Sequence, residues 1–174
     1  FIKPANQGSS IGITKAHNEN ELVIGIKNAL TFDLKIIVEQ AINNVREIEC
    51  GILGETHKPE SSVLGEIIPD QEFYSYESKY LSGQSKAIIP AKLSKDLTEK
   101  IQACARLAFQ ALDCYGLARI DFLLDDKTNQ FYLNELNTMP GFTPISMYPK
   151  LWEATDLPYP KLLDQLITLA LKRH

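Results

Sequence analysis

The sequence predicts an α+β fold, a mainly antiparallel sheet with flanking helices. Three observations carry the prediction. Strands and helices follow one another in mixed order, without the regular alternation of a parallel α/β chain. Two strand-like runs, "LARIDFLL" and "QFYLNELN", are separated only by the turn-rich "DDKTN", so they read as an antiparallel hairpin. Ser94 to Cys114 and Tyr159 to Arg173 repeat apolar residues at helical spacing.

Taken in order, "FIKPA" is a short strand, Asn6 to Gly12 a Gly/Ser loop, and "IGITKA" a second strand making a hairpin around it. Asn18 to Leu30 fits a helix, with Asn18 or Asn20 as cap, Glu21 in the first turn, and Leu22, Ile26, Ala29 and Leu30 on one side. "KIIVEQ" is expected to be a buried strand ending in Glu39. "REIECGILG" and "SSVLGEIIP" are further strands, the second closed by Pro69. From Asp70 to Lys92 the pattern weakens into a Tyr-, Ser- and Lys-rich stretch around Gly83, long for a plain connection and of the length of a functional lid. Ser94 caps the clearest helix, whose stripe is Leu97, Ile101, Cys104, Ala105, Ala108 and Leu112. The final helix carries Leu162, Leu163, Leu166 and Ile167. There are no internal repeats.

Composition narrows the function class. At 174 residues the chain can bury a core without staples. The hydrophobic fraction is 44% and the charged fraction 23%, ordinary for a soluble domain. A net charge of −4 argues against a nucleic-acid binder, where a basic stripe is expected. Cys50, Cys104 and Cys114 are widely spaced with no CxxC, and His17, His57 and His174 lie far apart, so neither a disulfide framework nor a zinc site is expected. Reduced thiols and no apolar run long enough to span a bilayer fit a cytoplasmic protein without a membrane partner. The opening "FIKPA", strand-like and without Met, reads as a cut from a longer protein, which would leave a strand edge that seeks partners.

The chemistry concentrates in "FYLNELNTMPGFTPIS". Alternation along a strand puts Phe131, Leu133, Glu135 and Asn137 on one face, the last two offering hard oxygen ligands side by side before Pro140-Gly141 breaks the strand. A polar strand end running into a turn is the other account of these two residues. Arg119 and Asp121 also sit two apart on a strand. If the hairpin sets Asp121 opposite Glu135, all four groups converge on one side, and two carboxylates, an amide and an arginine suit Mg2+ on a nucleotide phosphate. The loop Gly8-Ser9-Ser10-Ile11-Gly12 could lay backbone N–H groups over phosphates, although it matches neither the P-loop nor the Rossmann pattern. Lys3 and Lys79 are candidate cations for the same phosphates, and solvated surface charge is the alternative for each.

Assembled in order, "FIKPANQGSSIGI", "VEQAI", "REIECGILG", "FYSYESKYL", "ARIDFLL" and "FYLNELNTMPGFTPISMYPKLW" resemble the D-alanine–D-alanine ligases of the ATP-grasp superfamily, over essentially the whole chain. The resemblance implies an ATP-grasp fold in which residues 1–38 end the central lobe and 39–174 form the C-terminal lobe, with a lid loop at 70–92 and the N-terminal substrate domain absent. It implies ATP and two Mg2+ ions, or Mn2+ in their place, as cofactors, and D-alanine as substrate. Lys3 and Lys79 match lysines that hold the ATP phosphates. Glu39, Gln40 and Ile42 match the adenine-contacting segment. Glu47 matches the ribose-binding acid, across a stretch one residue longer than the commonest pattern. Asp121, Glu135 and Asn137 match the metal ligands, and Arg119 the arginine that meets the transferred phosphoryl group. Ser9 and Tyr80 match residues near the first D-alanine, Gly141 the backbone donor to the oxyanion, and Ser146 and Met147 the binders of the second D-alanine's carboxylate.

The implied reaction phosphorylates one D-alanine to an acyl phosphate, which the amine of a second D-alanine attacks as phosphate leaves. A ligase that makes D-alanyl-D-lactate or D-alanyl-D-serine is the near alternative, with the Lys79-Tyr80 pair favouring the dipeptide. A non-catalytic nucleotide-binding module is the alternative of another class. The resemblance also implies a homodimeric parent, and a fragment that self-associates through open strand edges and is inactive by itself.

Overall fold

A computed structural model describes residues 1–42, 44–68 and 86–173. The chain divides into two compact units, one of Phe1–Asn43 with Pro69–Lys86, the other of Asn44–Ile68 with Ala87–His174.

In the first unit β1 (Ile2–Pro4) pairs antiparallel with β2 (Ile36–Val38), setting Lys3 opposite Ile37. Between them runs α1 (Glu19–Ala29). Its start is fixed reciprocally: the Asn18 side chain accepts the Glu21 N–H at 3.0 Å, and the Glu21 carboxylate accepts the His17 N–H at 2.8 Å. Gly25 lets the helix lie on the strand, since a Cβ there would stand 2.9 Å from Ile2 Cδ1.

Two expectations fail here. "IGITKA" is not a strand, because only Thr14 bridges to Ile2. The preceding residues Ser9, Ser10 and Gly12 take φ of 53°, 62° and 72°, which curls the chain into turns and leaves one residue in ladder geometry. Nor is "KIIVEQ" buried, for Ile37 is 40% and Val38 56% exposed. A two-stranded ribbon with one helix cannot cover both of its faces.

The second unit is built on a five-stranded sheet in the order β5-β4-β3-β6-β7. Its strands are β3 (Val45–Glu55), β4 (Lys58–Ile68), β5 (Lys86–Ile88), β6 (Gly116–Asp125) and β7 (Phe131–Asn137), and the pairings β3–β4, β3–β6 and β6–β7 are all antiparallel, as expected. The helices are α2 (Lys95–Ala111), α3 (Met147–Glu153) and α4 (Tyr159–Lys172). Ser94 accepts the Leu97 N–H at the start of α2, as its sequence position requires.

Strand β6 alternates cleanly. Ala118, Ile120, Phe122 and Leu124 are buried, and the odd positions between them are half-buried. The even face meets Ile48, Cys50 and Ile52 of β3, with Leu97, Ile101, Ala105 and Phe109 of α2 closing the core over it. Burial of the Leu, Ile and Phe side chains among these contributes about 1.5–3 kcal/mol each. A charged side chain at the rim of this layer is fully paired: Glu66, 7% exposed, accepts from Arg46 Nε and Nη2, both at 2.7 Å.

Two elements escaped the sequence. Strand β5 falls within the stretch taken as an unbroken loop. Helix α3 shows no amphipathic stripe, because Met147, Tyr148, Pro149, Leu151 and Trp152 are all buried, and its Pro149 is tolerated only because it sits in the first turn. Among the described residues no helix is long and apolar enough to cross a membrane.

Candidate functional site

The opposite face of the sheet in the second unit is covered over only part of its length. At one end Leu53 packs with Tyr148 and Trp152 of α3 and Leu162 of α4, with Leu117 and Phe142 against them. Two glycines let α3 approach the sheet. A Cβ at Gly51 would stand 2.9 Å from Trp152 Nε1, and one at Gly65 would stand 2.5 Å from Met147 Cε and 2.7 Å from Leu151 Cδ2. Tyr148 is anchored by donating its hydroxyl to the Ile52 carbonyl at 2.9 Å, and burial pushes its ionisation well above the ordinary tyrosine range. Beyond Gly51 the same face carries Arg119, Asp121, Glu49 and Glu47 beside the apolar Leu123 and Ile67. Register sets Gly51 opposite Arg119, Glu49 opposite Asp121, and Glu47 opposite Leu123.

Strand β7 completes this face, with a correction to the sequence reading. Asp121 pairs with Glu135 and Arg119 with Asn137, as the hairpin predicts. Between the Asp121 and Phe122 pairs, however, the register shifts, and Asn134 is the extra residue of a β-bulge. An extra residue reverses the alternation. Phe131 and Leu133 pair with Leu124 and Phe122 of the core-facing set, and Phe131 and Leu136 pack against that core. Phe131 and Leu133 therefore do not share a face with Glu135 and Asn137. The bulge turns these two polar residues to the side of Arg119 and Asp121 while the start of the same strand keeps Phe131 on the core.

Arg119 is the hub of the face. It donates from Nε to Asp121 Oδ1 at 2.8 Å and from Nη2 to Oδ2 at 2.7 Å, a fork along one strand. Glu49, on the neighbouring strand and 12% exposed, stands 3.5 Å from its Nε. Burial works against the guanidinium charge, but the hydrogen bonds and charge of Asp121, joined by Glu49 and Glu135, raise its pKa beyond the ordinary value, so it stays cationic. Asn137 Oδ1 accepts the Met139 N–H at 3.1 Å, which starts the turn after the strand.

Two carboxylates and an amide oxygen are the donor set a hard divalent cation takes, so the residues fit Mg2+. Among the described residues no three His, Cys, Asp or Glu side chains group as a metal cage. The third donor here is an amide, and Arg119 spans both oxygens of one carboxylate.

The segment after β7 is pinned through Ser146. Its Oγ accepts the Thr143 N–H at 3.0 Å, and its own N–H donates to the Thr143 carbonyl at 2.9 Å. Gly141 lies under this hydroxyl, 2.7 Å from where a Cβ would be, so only glycine fits without displacing it. Met147 opens α3 and is buried, 5% exposed as a whole residue.

In the first unit Lys3 forms an ion pair with Glu39. Gln40 and Ile42 follow β2, Gln40 exposed and Ile42 half-buried. Ser9 holds a left-handed backbone in the Gly/Ser loop. Lys79 and Tyr80 lie outside the described residues. Glu49 was not singled out from the sequence. In "REIECGILG" it is one of two alternate acids, and only the pairing of β3 with β6 reveals that it faces Arg119.

A family profile described as "D-ala D-ala ligase C-terminus" matches residues 1–168. The chain is 54% identical over its whole length to a protein named D-alanine--D-alanine ligase from Clostridium acetobutylicum, covering 50% of that protein. It is similar to the solved structure of the D-alanine-D-alanine ligase from Coxiella burnetii, with a TM-score of 0.86, 41% identity, all of this chain covered and 45% of the other. It is also similar to the VanG D-Ala:D-Ser ligase from Enterococcus faecalis, with a TM-score of 0.85 and 36% identity over 97% of this chain and 48% of the other. The chain thus spans about half the length of the curated relatives it matches. With a profile match over nearly its full length, the chain belongs to the D-Ala-D-Ala ligase C-terminus family.

Proposed function

We propose that these residues form the metal- and phosphate-handling half of an ATP-dependent ligase that joins two D-alanines to D-alanyl-D-alanine for peptidoglycan precursor synthesis. The observation that carries this reading is the β6–β7 register, which brings Arg119, Asp121, Glu135 and Asn137 to one face of a sheet in a chain of this family. Asp121, Glu135 and Asn137 would hold Mg2+, or Mn2+ in its place. The ion offsets charge on the ATP phosphates when bound.

The chain's own residues do the rest. Arg119, cationic at every physiological pH, meets the phosphoryl group as it passes to the carboxylate of the first D-alanine. Lys3 exchanges Glu39 for phosphate oxygens as a point charge, and Lys79 is assigned the same task. Glu39, Gln40 and Ile42 meet the adenine and Glu47 the ribose. Ser9 and Tyr80 position the first D-alanine. The Gly141 N–H meets the oxyanion formed as the second amine attacks the acyl phosphate. Ser146 and Met147 meet the second carboxylate.

The higher identity to proteins named D-alanine--D-alanine ligase than to the D-Ala:D-Ser ligase favours D-alanine over D-serine as the second substrate. The test is D-alanine-dependent phosphate release with products identified by mass, on this chain and on the chain extended to the length of its relatives. Turnover by the extended chain alone, yielding D-alanyl-D-alanine, supports the assignment. Product only with D-lactate or D-serine as acceptor replaces the substrate, and no turnover with any of the three overturns the reading.

A further inference from the structure

We infer that Glu49 is a positioning residue for Arg119, holding the guanidinium in place when Asp121 turns to a metal ion. The inference rests on the metal-site reading above. The Asp121 carboxylate cannot serve two partners fully: both of its oxygens accept from Arg119, at 2.8 and 2.7 Å, and a divalent cation requires at least one of them. Glu135, the other acid of the hairpin facing Arg119, belongs to the same donor set and lies directly across from Asp121. Glu49 is different in kind. It sits on β3, on the far side of β6 from Glu135, opposite Asp121 in the ladder. Its carboxylate is 12% exposed and 3.5 Å from Arg119 Nε. The neighbouring position is Gly51, opposite Arg119 itself, and α3 closes over it. The arginine thus has Gly51, which lies under α3, beside it in the ladder, and Glu49 and Asp121 as its carboxylate neighbours. A small rotation moves its Nε from Asp121 to Glu49 without moving the strand. The charge pair that Arg119 loses on metal binding is replaced within its own reach, and the head group remains where the phosphoryl group passes.

Removing the Glu49 charge leaves Arg119 dependent on Asp121, so metal must then compete against the arginine's remaining pairing. The test is a double-mutant cycle read as Mn2+ affinity, from the electron-paramagnetic signal of the free ion, on the folded chain with melting followed in parallel. Glu49→Gln is expected to weaken Mn2+ binding about tenfold. In an Arg119→Met background the same substitution is expected to change it less than about twofold, because its effect passes through the arginine. Arg119→Gln serves as the second background if Arg119→Met does not fold. An equal loss in both backgrounds would make Glu49 a metal ligand or a simple field charge and overturn the proposal. So would a lowered melting temperature with unchanged Mn2+ affinity, which marks a structural role alone. Mn2+ binding by the unsubstituted chain that is indifferent to Asp121→Asn would instead overturn the metal-site reading itself, and the proposal with it.

Discussion

Asp121 and Glu135 face each other across the β6–β7 ladder, one step from the bulge that Asn134 makes in β7. Directly opposed residues hold their Cβ atoms about 4.5–5.5 Å apart, so two carboxylates so placed repel unless a cation lies near. Arg119 supplies that cation in the structure. Asp121→Asn keeps the shape and removes one charge. In the chain extended to the length of its relatives it is expected to lower D-alanine-dependent phosphate release by about a hundredfold or more. Stability should fall by only about 1–3 kcal/mol, since Arg119 keeps Glu49. Steady-state kinetics beside a urea titration separates the two effects.

Deleting Asn134 is a sharper test of the bulge. Without the extra residue the strand must send either Phe131 away from the core or Glu135 into it. Either costs about 3–5 kcal/mol. The expected outcome is a large drop in melting temperature together with lost Mn2+ binding, whereas Asn134→Ala, which keeps the residue count, should retain both. A deletion variant as stable as the parent would show that the register adapts.

Gly51 and Trp152 form a second critical contact. The indole is rigid and 3% exposed, and a methyl group at position 51 would lie 2.9 Å from its Nε1 and 3.1 Å from Ser62 Oγ. Gly51→Ala is therefore expected to destabilise the chain by about 1–3 kcal/mol, read as a lowered thermal midpoint. Gly8→Ala meets open space and serves as the neutral control.

The thiols give a pH-dependent prediction. Burial pushes Cys50 from the ordinary 9.0 up to about 12. Only the thiolate attacks a disulfide reagent, so at pH 8 Cys50 should stay unmodified until the chain unfolds, and the half-buried Cys104 should react first. Because the folded state favours the protonated form, the Cys50 contribution to stability is complete below pH 9.0 and is lost as pH rises toward 12. Urea unfolding at pH 8 and pH 10 should show a smaller alkaline loss in Cys50→Ala than in the parent.

The sequence by itself determined the antiparallel α+β class, most elements of the second unit, and the pairing of Asp121 with Glu135. These rest on local signals: the alternation of "LARIDFLL", the tight "DDKTN" turn, and the Ser94 cap with its apolar stripe. It also revealed the family, through residues whose order is legible without coordinates. Other features came only from tertiary structure. The Asn134 bulge is silent in sequence, because one extra residue changes which face each side chain meets without changing composition. "IGITKA" has the apolar content of a strand, but left-handed residues just before it and at its Gly12 leave a single bridge at Thr14. Helix α3 lacks a stripe because the sheet, α4 and the approach allowed by Gly51 and Gly65 bury it from several sides. Glu49 acquires its place opposite Arg119 only when β3 and β6, some 70 residues apart in sequence, share a ladder. Periodicity reports what one element does with its own faces, and the partner that each face meets is decided by packing.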